Sequence, residues 1–275
     1  MRRRVGFLSI VLSSCGGASE PGDCIDISEN MYLSSSRDVS DMPEGCFTVS
    51  QHGVTVYASD FQDLSALSGL REAFQLAIRE NASLESTAGL ESVKVLSELR
   101  IEENRVLADV AGLDDTEVLD RVALIDNPRL SHLGLERVKI IKGELAIAYE
   151  TNLHDLSDLA VLEGLGGLKI LNTTGLVELG SLPRLETVAT DVTIVGNEDL
   201  ETLGDQPFAV GGHLTISDNA SLRSIGAFIT SLGSVGGTVT IARNPLLQLD
   251  FDLDRLREIT GGSVIITDNG FPDPI

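Results

Sequence analysis

Apolar residues recur along this chain in a short pattern that returns every 22 to 25 residues. The repeated unit is apolar-x-apolar-x-x-Asn-x-x-Leu, and a clear copy is Leu99-x-Ile101-x-x-Asn104-x-x-Leu107. A fixed period of this length is typical of solenoids, in which each unit is too small to bury its own apolar face and must stack on its neighbours. The pattern therefore predicts one continuous repeat domain and not several globular units.

The Asn position of the unit defines a column through the whole chain. Its asparagines are Asn81, Asn104, Asn127, Asn197, Asn219, Asn244 and Asn269, and the same place is held by Ser59, Glu150 and Thr173 in the other turns. Apolar residues, many of them β-branched, stand three and five positions earlier, which is the alternation of a strand with one buried face. An amide inside a turn can bond backbone groups that cannot reach water, and an unpaired group there costs about 1–3 kcal/mol. We interpret the column as a structural Asn ladder through about ten turns.

The unit resembles the leucine-rich repeat, because Leu96-x-x-Leu99-x-Ile101-x-x-Asn104 matches the first nine positions of that consensus. The next leucine follows Asn by three residues instead of two. That spacing, with stretches such as Leu-Glu-Thr-Leu-Gly at 200–204, is similar to the receptor L-domain repeats of insulin- and EGF-type receptors and of many bacterial surface proteins. The resemblance implies a mainly β, right-handed parallel β-helix-like solenoid that binds protein or carbohydrate and is not an enzyme. It identifies no ligand-binding residues.

The first residues have the form of a secretory signal peptide. Three arginines at 2–4 precede an apolar run at 5–12, which is too short to span a bilayer. The stretch Leu-Ser-Ser-Cys-Gly at 12–16 then resembles a bacterial lipoprotein signal. That resemblance implies removal of residues 1–14, and an ordinary signal peptide followed by a chance cysteine is the alternative.

The lipoprotein resemblance also implies an address and a domain order. Cys15 would carry a diacylglyceryl group and an N-acyl chain, and two or more chains anchor a protein stably in a lipid bilayer. Gly16 in place of Asp after the cysteine implies the outer membrane of a Gram-negative cell envelope. We expect the lipidated cysteine and a flexible tether at 15–23, an N-terminal capping turn at 24–52 and the repeat solenoid at 53–275.

The two remaining cysteines are separated by one period of the repeat. Cys24 and Cys46 lie 22 residues apart, and residues one turn apart in a solenoid stack at about 4.8 Å, within the range that a disulfide accepts. Export to an oxidising compartment favours pairing. We predict a Cys24–Cys46 disulfide on the first turn, with a metal-ligand pair or free thiols as the alternatives.

The charge of the chain excludes one class of partner. At a formal net charge of −22, the protein would repel nucleic acid, because phosphate binding needs a basic surface. There is no Trp, and aromatic residues make up 4% of the chain, so stacking surfaces for sugars or bases are scarce. A basic protein or divalent cations suit this charge better, although an acidic surface that only keeps the protein soluble is the simpler interpretation.

Motifs for catalysis are missing from the sequence. It contains no HExxH, no GxSxG and no CxxC motif, and the histidines fall in different columns, so we interpret each as an isolated surface residue: His52, His132, His154 and His213. A turn length of 22 to 25 residues leaves no room for the long loops of polysaccharide-processing β-helix enzymes. We expect no enzymatic activity and no cofactor.

One acidic column has a functional interpretation. Glu80, Glu103 and Asp126 stand just before the Asn position in three consecutive turns. Stacked carboxylates repel one another, and a bound calcium ion would relieve that repulsion. A solvated acidic edge is the alternative.

We therefore expect a lipid-anchored envelope protein that recognises a macromolecule, a protein or a carbohydrate, through the surface of its solenoid. A structural spacer without a specific ligand and, as a weaker alternative, a β-helix polysaccharide-processing enzyme remain open.

Overall fold

The computed structural model describes residues 24–40 and 42–273 of the chain, so Cys15 and the predicted signal peptide lie outside the described residues. The strands of this part are β1 (Ile25–Asp26), β2 (Met31–Leu33), β3 (Phe47–Tyr57), β4 (Leu70–Arg79), β5 (Val95–Glu102), β6 (Val118–Leu119), β7 (Arg121–Ile125), β8 (Ile140–Ala148), β9 (Gly164–Leu171), β10 (Thr187–Val188), β11 (Val192–Val195), β12 (Ala209–Val210), β13 (Leu214–Ser217), β14 (Val239–Ala242) and β15 (Val264–Thr267). Its helices are α1 (Ser36–Val39), α2 (Gly226–Ser231), α3 (Leu253–Ile259) and 3₁₀ segments at Ser65–Leu67 and Ser157–Leu159. In this part of the chain, no helix combines the length and the apolar character needed to cross a membrane.

All strand pairs of the described residues are parallel, and they form a solenoid. The hydrogen-bonded order β1-β3-β4-β5-β7-β8-β9-β11-β13-β14-β15 gives about 11 turns. This confirms the predicted mainly β repeat solenoid, with one turn more than the ten counted from the Asn column. The additional turn comes from residues before β3, because β1 and β2 both pair with that strand.

The register of the sheet follows the repeat period of the sequence. Leu76 pairs with Leu99, which pairs with Val122, and the same step continues through Leu145 to Leu168. Equivalent positions of successive units therefore lie directly beside one another. Because side chains alternate between the faces of a strand, every turn sends the same positions inward.

Each turn passes through three stretches of pairing. The main strands precede the Asn position. Isolated parallel bridges follow it, as in Ser86–Asp109–His132. Short pairs such as Val118–Ile140 then lead into the next main strand. The chain thus encloses a core along its whole length.

Apolar side chains from all three stretches fill this core. In the turn of Asn104, the side chains of Leu99, Ile101, Leu107 and Val110 are at most 1% exposed. At about 1.5–3 kcal/mol for each buried side chain, a single turn gains less than the backbone entropy lost on ordering it, at about 1–2 kcal/mol for each residue. The stack, and not the individual turn, is therefore the stable unit.

A disulfide closes the N-terminal turn. Cys24 and Cys46 are bonded, with their Cα atoms 4.8 Å apart, which confirms the predicted pair. The bond continues the sheet, because Ile25 N donates to Cys46 O at 3.1 Å and Ile25 pairs with Phe47. It therefore fastens the first turn at a place that the Asn ladder does not reach.

Candidate functional site

A left-handed corner precedes the ladder position in every turn from β3 onward. Nine non-glycine residues of the described chain have positive φ, between 48° and 60°, and all occupy this corner: Ala58, Glu80, Glu103, Asp126, Tyr149, Asn172, Asp218, Arg243 and Asp268. Gly196, with φ 72°, completes the series. The left-handed conformation is unfavourable for most residues and is adopted most readily by Gly, Asn and Asp. The corner ends each main strand and turns the next side chain into the core.

Behind this corner, the Asn side chains form a hydrogen-bonded ladder. Asn104 Oδ1 accepts from the backbone N of Asn81 at 3.1 Å and from its Nδ2 at 3.0 Å. Asn104 Nδ2 donates to Ile78 O and to Asn127 Oδ1, each at 3.0 Å. Asn104 is fully buried. Each amide thus links three consecutive turns and satisfies backbone groups that water cannot reach.

The ladder changes chemistry in the middle of the solenoid. Glu150 is fully buried, and its carboxyl oxygens accept from Asn127 N and Asn127 Nδ2, both at 3.0 Å. Burial raises the pKa of Glu150 to about 8, although the hydrogen bonds from Asn127 act in the opposite direction. In the next turn, Thr173 N donates to Asn197 Oδ1 at 3.0 Å. Within residues 42–273, the side chains of Glu150 and Thr173 do not hydrogen-bond to each other.

The acidic column assigned to calcium lies at these corners. Glu80, Glu103 and Asp126 have φ values of 55°, 59° and 56°, and Glu80 accepts a hydrogen bond from Tyr57 Oη at 3.2 Å. In the part of the chain that the structure describes, no group of three or more His, Cys, Asp or Glu side chains is arranged to hold a metal ion. The calcium hypothesis therefore has no three-ligand group to rest on, and the corner conformation gives Asp126 a structural reason to be there.

The outward face of the main sheet differs along its length. Near the N-terminal end it is charged, and Glu102 pairs there with Arg79 at 2.8 Å and with Arg100 at 2.5 Å. Across the middle, four neighbouring strands place a row of uncharged side chains outward. We call this row the sheet-face patch: Ile125, Ala148, Leu171 and Val195, which pair in register from β7 to β11.

The sheet-face patch is partly accessible to solvent. Ile125, Leu171 and Val195 are partly exposed, and Ala148 is buried between them. Beside the row, the outward position of the next column is filled by alanine in β7 and in β8, at Ala123 and Ala146. The four residues of the patch carry no charge, and charged groups border them: Glu102 pairs with Ile125 at one end of the row, and Lys169, next to Ala146, forms an ion pair with Glu144 at 2.7 Å.

A polar pocket lies on the other side of the ladder position, after Asn127 and Glu150. It is a cavity of about 310 Å³ lined by Ser131, His132, Asn152, His154, Asp155, Ser157 and Asp158. The 3₁₀ helix Ser157–Leu159 contributes Ser157 and Asp158 to the lining, and Asp155 Oδ1 accepts from the backbone N of Ser157 at 2.7 Å. Hydrogen bonds from the hydroxyl and the backbone N–H of Ser157 lower the pKa of Asp155, with smaller contributions from His154 and His132.

The two turns that form the pocket are linked by Asp158. Its Oδ2 accepts from the backbone N of Leu133 at 2.5 Å and lies 4.0 Å from His132 Nδ1. On the opposite side, His154 Nδ1 lies 2.9 Å from the carbonyl oxygen of Asn152. Because a carbonyl oxygen can only accept, that nitrogen carries the proton, and Nε2 of neutral His154 is an acceptor.

This pocket was missed by the sequence analysis. His132 and His154 were interpreted as isolated because they stand one position out of register, whereas the structure brings both to one cavity. A usable signal was present in the motif Asp-Leu-Ser-x-Leu, which occurs at 63–67 and again at 155–159. Both copies form a 3₁₀ helix whose first residue, Ser65 or Ser157, donates its backbone N–H to the side chain of the preceding Asp. Only the second copy follows a turn that carries a histidine at the facing position.

Comparisons with known proteins give no match for this chain: no family model, no curated protein and no solved structure is similar to it. The function must therefore be argued from the geometry of the solenoid and from the chemistry of its surfaces.

Proposed function

We propose that this protein is a non-catalytic binding protein of the bacterial cell envelope, and that it recognises a macromolecule through the sheet-face patch. The observation that carries this proposal is the contrast between the patch and the remaining surface. A chain with a formal charge of −22 carries an uncharged row across four strands. Contiguous apolar surface on a soluble domain often marks an interaction site.

A second group of apolar residues is more exposed than the patch and lies among charged side chains. Val95, Val118 and Ile140 are 50%, 41% and 39% exposed. Ion pairs run close to this second group, since Lys139 pairs with Glu117 at 2.9 Å and the neighbouring Lys142 pairs with Asp120 at 2.9 Å. A partner docking there would have to desolvate those charges, which costs free energy. An ion pair also flanks the sheet-face patch, where Lys169 lies 2.7 Å from Glu144, but the four residues of the patch themselves are uncharged. We therefore propose the sheet-face patch as the binding surface.

The fold is compatible with this role. A parallel solenoid presents a long, regular face whose shape does not depend on loops, and such faces serve as binding surfaces in repeat proteins. The resemblance of the repeat to receptor L-domains supports the same interpretation, since that resemblance implies protein or carbohydrate ligands.

The envelope location is supported by two features at the start of the chain. The basic, apolar and Leu-Ser-Ser-Cys-Gly segments have the order of a lipoprotein signal. The Cys24–Cys46 bond suits an oxidising compartment such as the periplasm or the cell surface. We propose that Cys15 is acylated and holds the solenoid at the outer membrane of a Gram-negative cell.

A binding experiment tests the recognition role. The chain without its lipid is immobilised and exposed to envelope extracts at physiological salt, in parallel with Leu171→Glu and with Thr267→Glu. Thr267 occupies the same outward row on β15, outside the patch. We expect a partner that is retained by the native chain and by Thr267→Glu and lost with Leu171→Glu. Retention of no partner, or equal retention by all three chains, contradicts the proposal.

A second experiment tests the anchor. Cells expressing the native chain or Cys15→Ser are labelled with a radioactive fatty acid and fractionated. We expect label and outer-membrane association in the native protein and neither in the variant. Membrane association that persists without Cys15 would show that another feature holds the protein.

A further inference from the structure

The side chains that line the polar pocket are acidic, imidazole, amide and hydroxyl groups. Its seven lining residues supply two carboxylates, two imidazoles, one amide and two hydroxyls, and they include no lysine and no arginine. Its cavity of about 310 Å³ lies in the lower part of the range of small-molecule sites. The lining is therefore rich in hydrogen-bond acceptors and carries negative charge at neutral pH.

The backbone holds these acceptors in place and does not exhaust them. Asp158 and Asp155 each accept a bond from a main-chain N–H, through Oδ2 and Oδ1. A carboxylate has about four acceptor positions, so each group retains capacity for a ligand. In the neutral imidazole of His154, the bond from Nδ1 to Asn152 O leaves Nε2 as an acceptor.

We propose that the pocket binds an alkylammonium or guanidinium group, which a free amine or a lysine or arginine side chain of a protein can supply. Such groups carry three to five donors and a positive charge, and charge-assisted bonds to carboxylates are the strongest hydrogen bonds available here. An anionic ligand would meet two carboxylates without a cation beside them. A wholly apolar ligand would leave the acceptors unpaired.

The pocket is separate from the surface used in the proposed function. It lies after the ladder position, in the turns of Asn127 and Glu150, whereas the sheet-face patch lies before it. Failure of one proposal therefore leaves the other standing. Asp158 links the two turns, so the cation would be held where they meet.

Calorimetric titration of the full chain tests this inference. The probes are Nα-acetyl-arginine methyl ester and its uncharged counterpart, Nα-acetyl-citrulline methyl ester. We expect saturable binding of the arginine ester and none of the citrulline ester. We expect Asp158→Asn to weaken binding about ten-fold or more, because a hydrogen bond to a charged group is lost.

The matched control is Asp205→Asn. Asp205 stands eight residues after Asn197, as Asp158 stands eight residues after Glu150, and it is exposed. Removal of this charge should leave binding unchanged, whereas equal losses with both variants would show diffuse attraction to an acidic surface and overturn the proposal. If Asp158→Asn does not fold, as judged by circular dichroism, His154→Ala removes the acceptor Nε2 at an exposed position and serves in its place.

Two further probes distinguish the sources of the cation. Spermidine that binds as tightly as a lysine-containing peptide identifies a site for free amines, and a clear preference for the peptide identifies a side-chain pocket; both results support the inference. Zinc chloride that binds at His132 and His154 while the arginine ester does not bind would assign the pocket to a metal and overturn it.

Discussion

Two regions of the same Asn ladder link successive turns through different side chains. From Asn81 to Asn127, each turn supplies an amide that both accepts and donates, so every link is made twice. From Glu150 to Thr173, the side chains supply a carboxyl and a hydroxyl, and backbone bonds join the two turns beside the ladder position, from Thr174 N to Glu150 O at 2.9 Å and from Tyr149 N to Leu171 O at 3.0 Å. The geometry of the corner is nevertheless the same, with φ 59° at Tyr149 and 52° at Asn172.

The difference shows that the left-handed corner forms whether or not an amide follows it in the ladder. The left-handed corner positions a side chain in the core whether or not that side chain is an amide. The amide adds reciprocal bonds, and its replacement makes the middle of the solenoid sensitive to ionisation. The polar pocket adjoins the turn that begins at Glu150, so the pocket and the change in the ladder lie in the same part of the solenoid.

The largest expected effect comes from removing one amide from the regular region. Asn104→Ala leaves Asn81 N, Asn81 Nδ2 and Ile78 O without their partners in a fully buried position. At about 1–3 kcal/mol for each unpaired group, we expect a loss of about 5 kcal/mol or more. Urea unfolding followed by circular dichroism measures it.

The matched change in the other region is Thr173→Ala. Thr173 Oγ1 makes one long bond, to Leu171 O at 3.4 Å, so we expect a loss of about 1 kcal/mol or less. Equal losses in the two variants would show that the reciprocal bonds contribute nothing beyond filling space, and the distinction between the two regions would fail.

The pH dependence of stability gives the second largest effect. The pKa of Glu150 is raised from 4.5 to about 8 in the folded chain, so folding favours the protonated acid. This contribution is fully present below pH 4.5, declines as the pH rises because the unfolded chain ionises first, and is lost once the pH passes about 8. At about 1.4 kcal/mol for each pKa unit, the decline amounts to about 4–5 kcal/mol, measured as the urea midpoint between pH 4.5 and 9.

Glu150→Gln isolates this contribution from the other carboxyl groups of the chain. Glutamine has the same length, accepts from Asn127 and cannot ionise, so the difference in stability between variant and native chain should be small at pH 4.5 and grow steadily to pH 8. A difference that does not change with pH would mean that Glu150 ionises normally inside the folded protein.

The sequence predicted the regular region well because stacking forces equivalent positions into equivalent surroundings. The spacing of Asn104 and Asn127 was enough to place both inside, and the 22-residue step from Cys24 to Cys46 was enough to pair them. The same count placed Glu150 in the ladder. It could not give the protonation state of Glu150, which depends on the absence of water around the carboxyl group and on its bonds to Asn127.

The candidate site was predicted less well, for a physical reason. The pocket depends on the path of the chain after the ladder position, where bridges between turns are isolated and side chains are not held in a common register. His132 and His154 therefore meet although their columns differ. The sheet-face patch was easier to anticipate as a strand face, but its lack of charge emerges only when four strands are placed side by side.

The third largest effect on stability is expected at the N-terminal turn, which the Asn ladder does not reach. Cys24→Ser with Cys46→Ser opens a loop of 22 residues, which costs about 3 kcal/mol on the chain-entropy model. Because solenoid turns unfold semi-independently, we expect faster amide hydrogen exchange in β1 and β2 and unchanged exchange in β13 and β14. Uniform acceleration along the chain would show that the disulfide stabilises the whole stack.

The smallest effect lies at the surface of the corners. Arg243 meets Asp218 of the preceding turn through two bonds, Nε to Oδ1 at 2.6 Å and Nη2 to Oδ2 at 2.7 Å, and this pair lowers the pKa of Asp218. Both side chains are well exposed, so water and salt screen their attraction. We expect Arg243→Gln to lower the melting temperature by about 1 °C in dilute buffer and to leave it unchanged in 1 M sodium chloride. Glu103→Gln, in the stacked acidic corners of the regular region, should raise the melting temperature slightly in dilute buffer. That increase should disappear in 1 M sodium chloride. A reduction with Arg243→Gln that persists in 1 M salt would show that the arginine acts through packing, so the corners would contribute to the stability of the stack independently of their charge.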